Sequence, residues 1–345
     1  MSRPLLAYGA LLTVLWASAV TGEILLFRAT GPSDAIERAA NAHGYNLLAW
    51  EVQHLPEKWL YKIGGLFRHR SHEDDEAVLR RYFSAVSDIQ RLERDLAAGV
   101  SLEAAEEERA ALENRVEDII EGRVTSILRD QGLTMGPPPF TELDVVFPPV
   151  DFEFDAPPRV LVISPRDHIE YARSYLLTPG LSLDTVLWIE SQAEAVNVGE
   201  EGVSALVVAT SGVSTYPSVV SSLDSYESLI DTVFHEWLHQ YLAFYPLGRS
   251  YFSGSQTRTL NESVANIAGH ELARLYFQRY PQPSAPAPSA PPTLGPSPAP
   301  SPTPSFDFAN EMRALRLQVE NLLAQRRITE AETLMVRKRD ESQAH

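Results

Sequence analysis

The sequence predicts an α+β protein, and three observations carry that prediction. Residues Glu73 to Asp130 are charged, nearly free of Gly and Pro, and striped with apolar residues at helical spacing. From Gly136-Pro137-Pro138-Pro139 onward the texture changes to short β-rich runs cut by turn residues. Two long helical segments, Asp224 to Tyr245 and Leu260 to Tyr280, then follow, each stopped by a proline, Pro246 and Pro281. A length of 345 residues with 44% hydrophobic composition suits a core-burying chain of about two domains.

In chain order, residues 5–27 form an apolar run of 23 residues whose only charge is Glu23, long enough to cross a hydrocarbon core of about 30 Å as a helix. An uncleaved membrane anchor is the first reading; a signal peptide cut after Ala17-Ser18-Ala19 and a buried core helix are the alternatives. Arg3 and the α-amine before the run point to a single-pass protein with the bulk of the chain outside the cytoplasm. Residues 28–135 hold a helical hairpin or stalk, with stripes Leu79, Tyr82, Phe83, Val86, Ile89, Leu92 and then Leu112, Val116, Ile119, Ile120, Val124, Ile127; Ser101 reads as the N-cap of its second helix. Glu106-Glu107-Glu108 read as a solvated face.

Residues 136–280 form the candidate catalytic domain. Strands are expected at Val145 to Phe154, Arg159 to Ser164, Thr185 to Glu190 and Ala205 to Thr210, and a helix at Asp167 to Leu177. Residues 281–305 hold 11 of the 25 prolines and read as an extended linker. Residues 306–345 read as a second helical hairpin, whose apolar stripe is expected to pack back on the catalytic domain.

Composition excludes several functions. Lys plus Arg total 29 against 46 Asp plus Glu, a net charge of −17, which argues against a nucleic-acid partner. With no cysteine, disulfide frameworks, thiolate metal sites and cysteine nucleophiles are out, so a metal must be held by His, Asp or Glu.

The chemistry concentrates in His235-Glu236-Trp237-Leu238-His239-Gln240, an HExxH motif inside a segment that reads independently as a helix, with Asp224 as N-cap and Leu229, Ile230, Val233, Leu238 and Leu242 as its apolar stripe. Positions four apart lie about 40° apart around a helix and about 6 Å along it, so both imidazoles can reach one ion. Glu236 is then held beside that ion, placed to accept a proton from water as a general base. About one chain of this composition in fifty would carry the motif by chance. Zinc needs a third protein ligand with a further position open to water. Glu262 stands 23 residues after His239, in Asn261-Glu262-Ser263-Val264-Ala265-Asn266. Thr259-x-x-Glu262 also fits a capping box, in which Glu262 would serve only the start of its own helix.

HExxH followed on a second helix by NExxA resembles the gluzincin group of zinc metallopeptidases, thermolysin-like and aminopeptidase-like enzymes, and bacterial membrane-associated aminopeptidases with HExxHQ and NES motifs. The resemblance covers residues 205–275. It implies a zincin-like fold, a small sheet over a two-helix site, holding one Zn²⁺ through His235, His239 and Glu262. It also implies Glu236 as catalytic base, and Asn266 in the place of an Asp that orients the first histidine. No Gly-x-Met-Glu-Asn motif for a substrate amine occurs, which leaves endopeptidase and aminopeptidase activity both open.

Ala265, Ala268, Gly269 and Ala273 read as a close-contact stripe against the HExxH helix, and His270 as a surface or packing histidine. Strand Ala205 to Thr210 is the candidate edge for pairing with substrate backbone. The function expected is that of a membrane-anchored zinc peptidase acting on peptides or proteins. The alternative is a catalytically inactive anchored scaffold with a degenerate or structural metal site.

Overall fold

The computed structural model describes residues 35–47, 49–50, 74–94, 102–136, 144–196, 201–281 and 307–343. The apolar run 5–27, Ser101 and the proline-rich run beyond Pro281 lie outside the described residues. Among the described helices none is long and apolar enough to cross a membrane.

The protein is α+β. Three helices come first: α1 (Ala35–Asn41), α2 (Asp75–Arg94) and α3 (Leu102–Asp130). Strands β1 (Phe152–Asp155), β2 (Arg159–Pro165) and β3 (Arg173–Leu177) follow, then α4 (Leu183–Glu194), β4 (Val203–Ala209), β5 (Gly212–Val213) and β6 (Ser218–Ser221). Helix α5 (Tyr226–Leu242) carries the HExxH motif. After it come the single turn α6 (Pro246–Arg249), a 3₁₀ turn at Tyr251–Ser253, α7 (Ser255–Arg279), and the C-terminal pair α8 (Phe308–Ala324) and α9 (Ile328–Gln343).

Two expected elements exchange type. Residues 183–194 form a helix where Thr185 to Glu190 had read as a strand: the Ser182 side chain caps it by accepting from Thr185 N at 3.2 Å, and Val186, Ile189 and Ala193 bury at helical spacing. Conversely, the stretch expected as a helix at Asp167 to Leu177 ends in β3, which pairs antiparallel with β2, Arg159 opposite Leu177. Pairing with a neighbour decides this segment over the helix-forming character of its Arg, Leu and Tyr residues.

There are two three-stranded sheets, ordered β1-β6-β5 and β3-β2-β4. In the first, β1 and β6 run parallel (Phe152 opposite Ser218) and β5 antiparallel to β6 (Gly212 opposite Val220). The second is antiparallel throughout. The main core lies under the first sheet, where the α2–α3 hairpin joins α5 and α7 around Tyr82, Ile120, Phe152, Phe234 and Tyr276. Tyr82 stacks on Phe154 at 5.1 Å, and the Tyr226 and Tyr276 hydroxyls bond at 2.7 Å across α5 and α7. A second core sets α1 and α4 against the second sheet through Ile36, Leu161, Leu177 and Ile189. The C-terminal stripe is covered within its own hairpin, by Val319, Leu323, Ile328, Ala331 and Leu334, rather than by residues 136–280; a bidentate Arg166–Glu332 pair links it to the end of β2.

Three of the four sheet edges are closed. Glu121 and Glu117 of α3 accept the outward N–H groups of Phe152 and Phe154 in β1, at 3.2 and 2.9 Å. Glu194 and Glu190 of α4 do the same for Ala205 and Val207 in β4, at 3.2 and 2.8 Å. Residues 43–45 run along β3, with Tyr45 N–H on Leu176 O and His43 O on Thr178 N–H. The fourth edge is β5.

Candidate metal and catalytic site

Helix α5 is capped by Ser225, one residue after the expected N-cap Asp224; the Ser225 side chain accepts from Ser228 N at 3.2 Å and Glu227 occupies the first turn. Leu229, Ile230, Val233, Phe234, Trp237 and Leu238 face the core, which turns His235 and His239 toward α7. Side-chain bonds lock the helix to its surroundings: Trp237 Nε1 donates to Pro148 O (2.8 Å), Gln240 Nε2 to Ser218 Oγ (2.8 Å) and to Thr215 O, and Ser214 Oγ to Glu236 O (2.9 Å).

Helix α7 begins at Ser255, so Thr259 lies inside it and the residue at its N-cap is Gly254. Glu262 therefore sits in the second turn, and the capping-box reading falls. Ala265, Gly269 and Ala273 are buried on the side facing α5, and a Cβ at Gly269 would stand 3.3 Å from His235 N. The absence of side chains along this seam lets the helices approach closely enough for Glu262 to meet both imidazoles.

His235, His239 and Glu262 converge, and among the described residues they are the group able to hold a metal ion. The two Nε2 atoms are 3.0 Å apart, and Glu262 Oε2 is 3.5 Å from His235 Nε2 and 3.4 Å from His239 Nε2. Donors bonded at about 2.0–2.1 Å to one tetrahedral ion stand about 3.3–3.4 Å from each other, so the donor set and its spacing fit a single ion of zinc's size. All three side chains remain partly exposed, leaving a coordination position open to solvent.

Two residues outside the ligand set hydrogen-bond to it and orient it. Asn261, buried at 1% exposure, places Oδ1 2.7 Å from His239 Nδ1; the imidazole donates there and keeps Nε2 free as a ligand. Tyr251 donates to Glu262 Oε1 at 2.7 Å, leaving Oε2 for the imidazoles. Asn266, expected to orient a histidine, is exposed, and the amide that meets a site imidazole is that of Asn261. The adjacency Asn261-Glu262 was the available signal; Tyr251 is one of four tyrosines near the motif, with Tyr216, Tyr241 and Tyr245, among which the sequence does not choose. His270 stands apart from the site with its side chain 80% exposed, 3.5 Å from Asp231.

Glu236 is buried beside the donors and, among the described residues, its carboxylate accepts no hydrogen bond. Burial pushes this carboxyl above the usual range, against the pull of His235 and His239 and with the push of Glu262. Burial also pushes Glu262 up, but its hydrogen bonds with His235, His239 and Tyr251 win and hold it well below the usual range. One carboxylate is thus held as an anion while its neighbour is free to take a proton.

Glu236 lies directly against β5. A Cβ on Gly212 would stand 2.7 Å from Thr232 Cγ2 and 2.9 Å from Glu236 Oε1, so glycine is what lets this strand run past the carboxylate. Ser221 N–H bonds Ser211 O, and antiparallel alternation then turns the N–H and C=O of Gly212 to the outer edge. On the edge expected for substrate, Ala205 to Thr210, the outward N–H groups of Ala205 and Val207 are already taken by Glu194 and Glu190, which argues against that edge.

No family model matches the chain, and neither a curated protein nor a solved structure does.

Proposed function

We propose that this chain is a zinc-dependent peptidase, gluzincin-like in its ligand set, and anchored to a membrane by its apolar run 5–27. The observation that carries the reading is the pairing of a three-donor metal site with a buried, unbonded carboxylate under an open strand edge. A divalent ion held by His235, His239 and Glu262 supplies Lewis acidity to a carbonyl and acidifies water beside Glu236. The rest is done by the protein. Glu236 takes the proton of the attacking water and returns it to the leaving amine, a cycle that suits a carboxyl whose pKa burial has raised. Asn261 fixes the ring of His239, and Tyr251 fixes the carboxylate plane of Glu262. Gly212 offers one N–H and one C=O to an extended peptide, which would add a strand to β5 and bring a peptide bond alongside Glu236.

Two substitutions in the full chain test this. Glu236→Gln should keep one zinc per chain and lose peptide hydrolysis by at least ~10²-fold. Glu262→Gln should weaken zinc binding by more than ~10²-fold, since a neutral amide is a poor donor and even losing a partner of a ligand costs about that much. Equal turnover in the first, or equal zinc retention against a mild chelator in the second, would remove the mechanism or the third ligand respectively. An inactive scaffold would show no hydrolysis in any form.

A further inference from the structure

One cation near the site stands out in this acidic chain. Arg258 lies one turn before Glu262 on the same face of α7. It does not pair with Glu262, whose Oε1 is bonded by Tyr251 and whose Oε2 faces the two imidazoles. Its guanidinium carbon is 4.7 Å from the ring centre of Tyr171 and 5.7 Å from that of Tyr251, and Nη1 donates to Tyr171 O at 3.4 Å. Further along the same helix Arg274 pairs with Glu271 and Arg279 with Asp130, yet among the described residues Arg258 has no carboxylate partner.

The two rings hold the guanidinium plane without consuming its charge, leaving donors of its fork for a planar anion. Tyr171, whose ring and carbonyl hold Arg258, also walls a cleft of about 380 Å³ together with Ser255, Thr259 and Ser263 of α7; Arg258 itself does not line it. Glu170 also lines it, with its carboxylate taken by His168 Nε2 at 2.8 Å. Arg258 is joined to the metal donors through one side chain, Tyr251. A peptide advances about 3.3–3.6 Å per residue, so an acidic side chain within a few residues of the bond beside Glu236 can reach it.

We propose that Arg258 is a specificity residue that receives the carboxylate of an acidic side chain, so that the substrates are peptides carrying Glu or Asp near the scissile bond. This rests on the peptidase reading above. The test uses zinc-loaded full chain and two sets of alanine-based hexapeptides, one with a single Glu walked through the positions and one with Gln in its place. Hydrolysis is followed in the wild-type chain and binding by fluorescence anisotropy in the Glu236→Gln background.

At one or two positions Glu should be favoured over Gln by about 10-fold or more in both readouts, as charge-assisted bidentate bonds allow. Arg258→Gln should abolish the preference while retaining zinc and turnover of the Gln peptides, and Arg258→Lys should restore part of it. Equal handling of Glu and Gln by the wild type, or no binding of either set, overturns the proposal. So does a loss in Arg258→Gln that is equal for both sets and accompanied by lost zinc, because that marks a clamp for Tyr251; a preference persisting in Arg258→Gln does so as well. Arg258-dependent binding without hydrolysis in the wild type would sink the peptidase reading alone.

Discussion

In the β3-β2-β4 sheet both outer strands are closed, β3 by residues 43–45 and β4 by the carboxylates of Glu190 and Glu194. In the β1-β6-β5 sheet Glu117 and Glu121 close β1 in the same manner, but β5 keeps the backbone groups of Gly212 unbonded among the described residues. The shared device has a metric basis. Residues four apart on a helix are about 6 Å apart along its axis, and residues two apart on a strand about 6.6 Å, so a Glu-x-x-x-Glu pair can serve two successive outward N–H groups. Both helices run antiparallel to the strand they serve, the earlier Glu meeting the later strand residue. An exposed edge invites pairing with another chain. With two of the other edges met by helix carboxylates and the third by backbone, the edge left open beside a buried carboxylate is where an extended ligand would pair under the proposed function.

The largest expected effect tests the open edge. Gly212→Ala places a methyl against Thr232 and Glu236, and the carboxylate is the group free to move. Hydrolysis should fall on the order of 10²-fold, the cost of roughly 1 Å of misplacement, while zinc content stays at one per chain. Unaltered kinetics would separate β5 from the chemistry.

Next come the closed edges. Glu117 and Glu121 are 3% and 8% exposed, so Glu117→Ala leaves a strand N–H unpaired where water does not reach and should cost about 1–3 kcal/mol in urea unfolding. Glu190 is half-buried and Glu194 exposed, so at Glu190→Ala water can replace the carboxylate and the loss should be nearer ~1 kcal/mol. Equal losses at the two sites would show that burial does not distinguish the two edges.

The smallest effect belongs to a region that closes no edge. Ending the chain at Ser305 removes α8 and α9, whose core is their own and whose tie to β2 is the half-exposed Arg166–Glu332 pair. Unfolding of the rest should shift by less than about 1 kcal/mol, and zinc binding should be unaffected. A larger shift would mean that the hairpin supports the second sheet.

The site was more legible in the sequence than the sheets around it, for a physical reason. His235, Glu236 and His239 follow the period of one helix, where local rules suffice, while Glu262, 23 residues on, is reached through the resemblance of Asn261-Glu262 to the NExxA pattern. Asn261 and Tyr251 reach the donors only once α7 lies across α5, and no local period announces that. Residues 183–194 misled because Thr185-Val186-Leu187-Trp188-Ile189 is β-branched and aromatic, although Ser182, Asp184 and the spacing of Glu190 and Glu194 carry the helical signal. Glu117 and Glu121 could be read as ordinary helix charges because their partners, Phe154 and Phe152, are 37 and 31 residues away. The α2–α3 hairpin, set apart from residues 136–280 by the proline run, shares one core with the HExxH helix, a fact of packing that composition does not encode.

The bare seam between α5 and α7 also acts as a gauge. Because Gly269 meets the backbone of His235, the gap between the imidazoles and Glu262 is set by main chain resting near main chain, not by how far side chains stretch. Donors 3.0–3.5 Å apart suit an ion that bonds at about 2.0–2.2 Å. Calcium, which gathers about six to eight oxygens at about 2.3–2.6 Å, would have to pry the helices apart and find ligands the seam does not offer. A divalent ion of the shorter bond length would fit the spacing of His235, His239 and Glu262 with the two helices left where they stand.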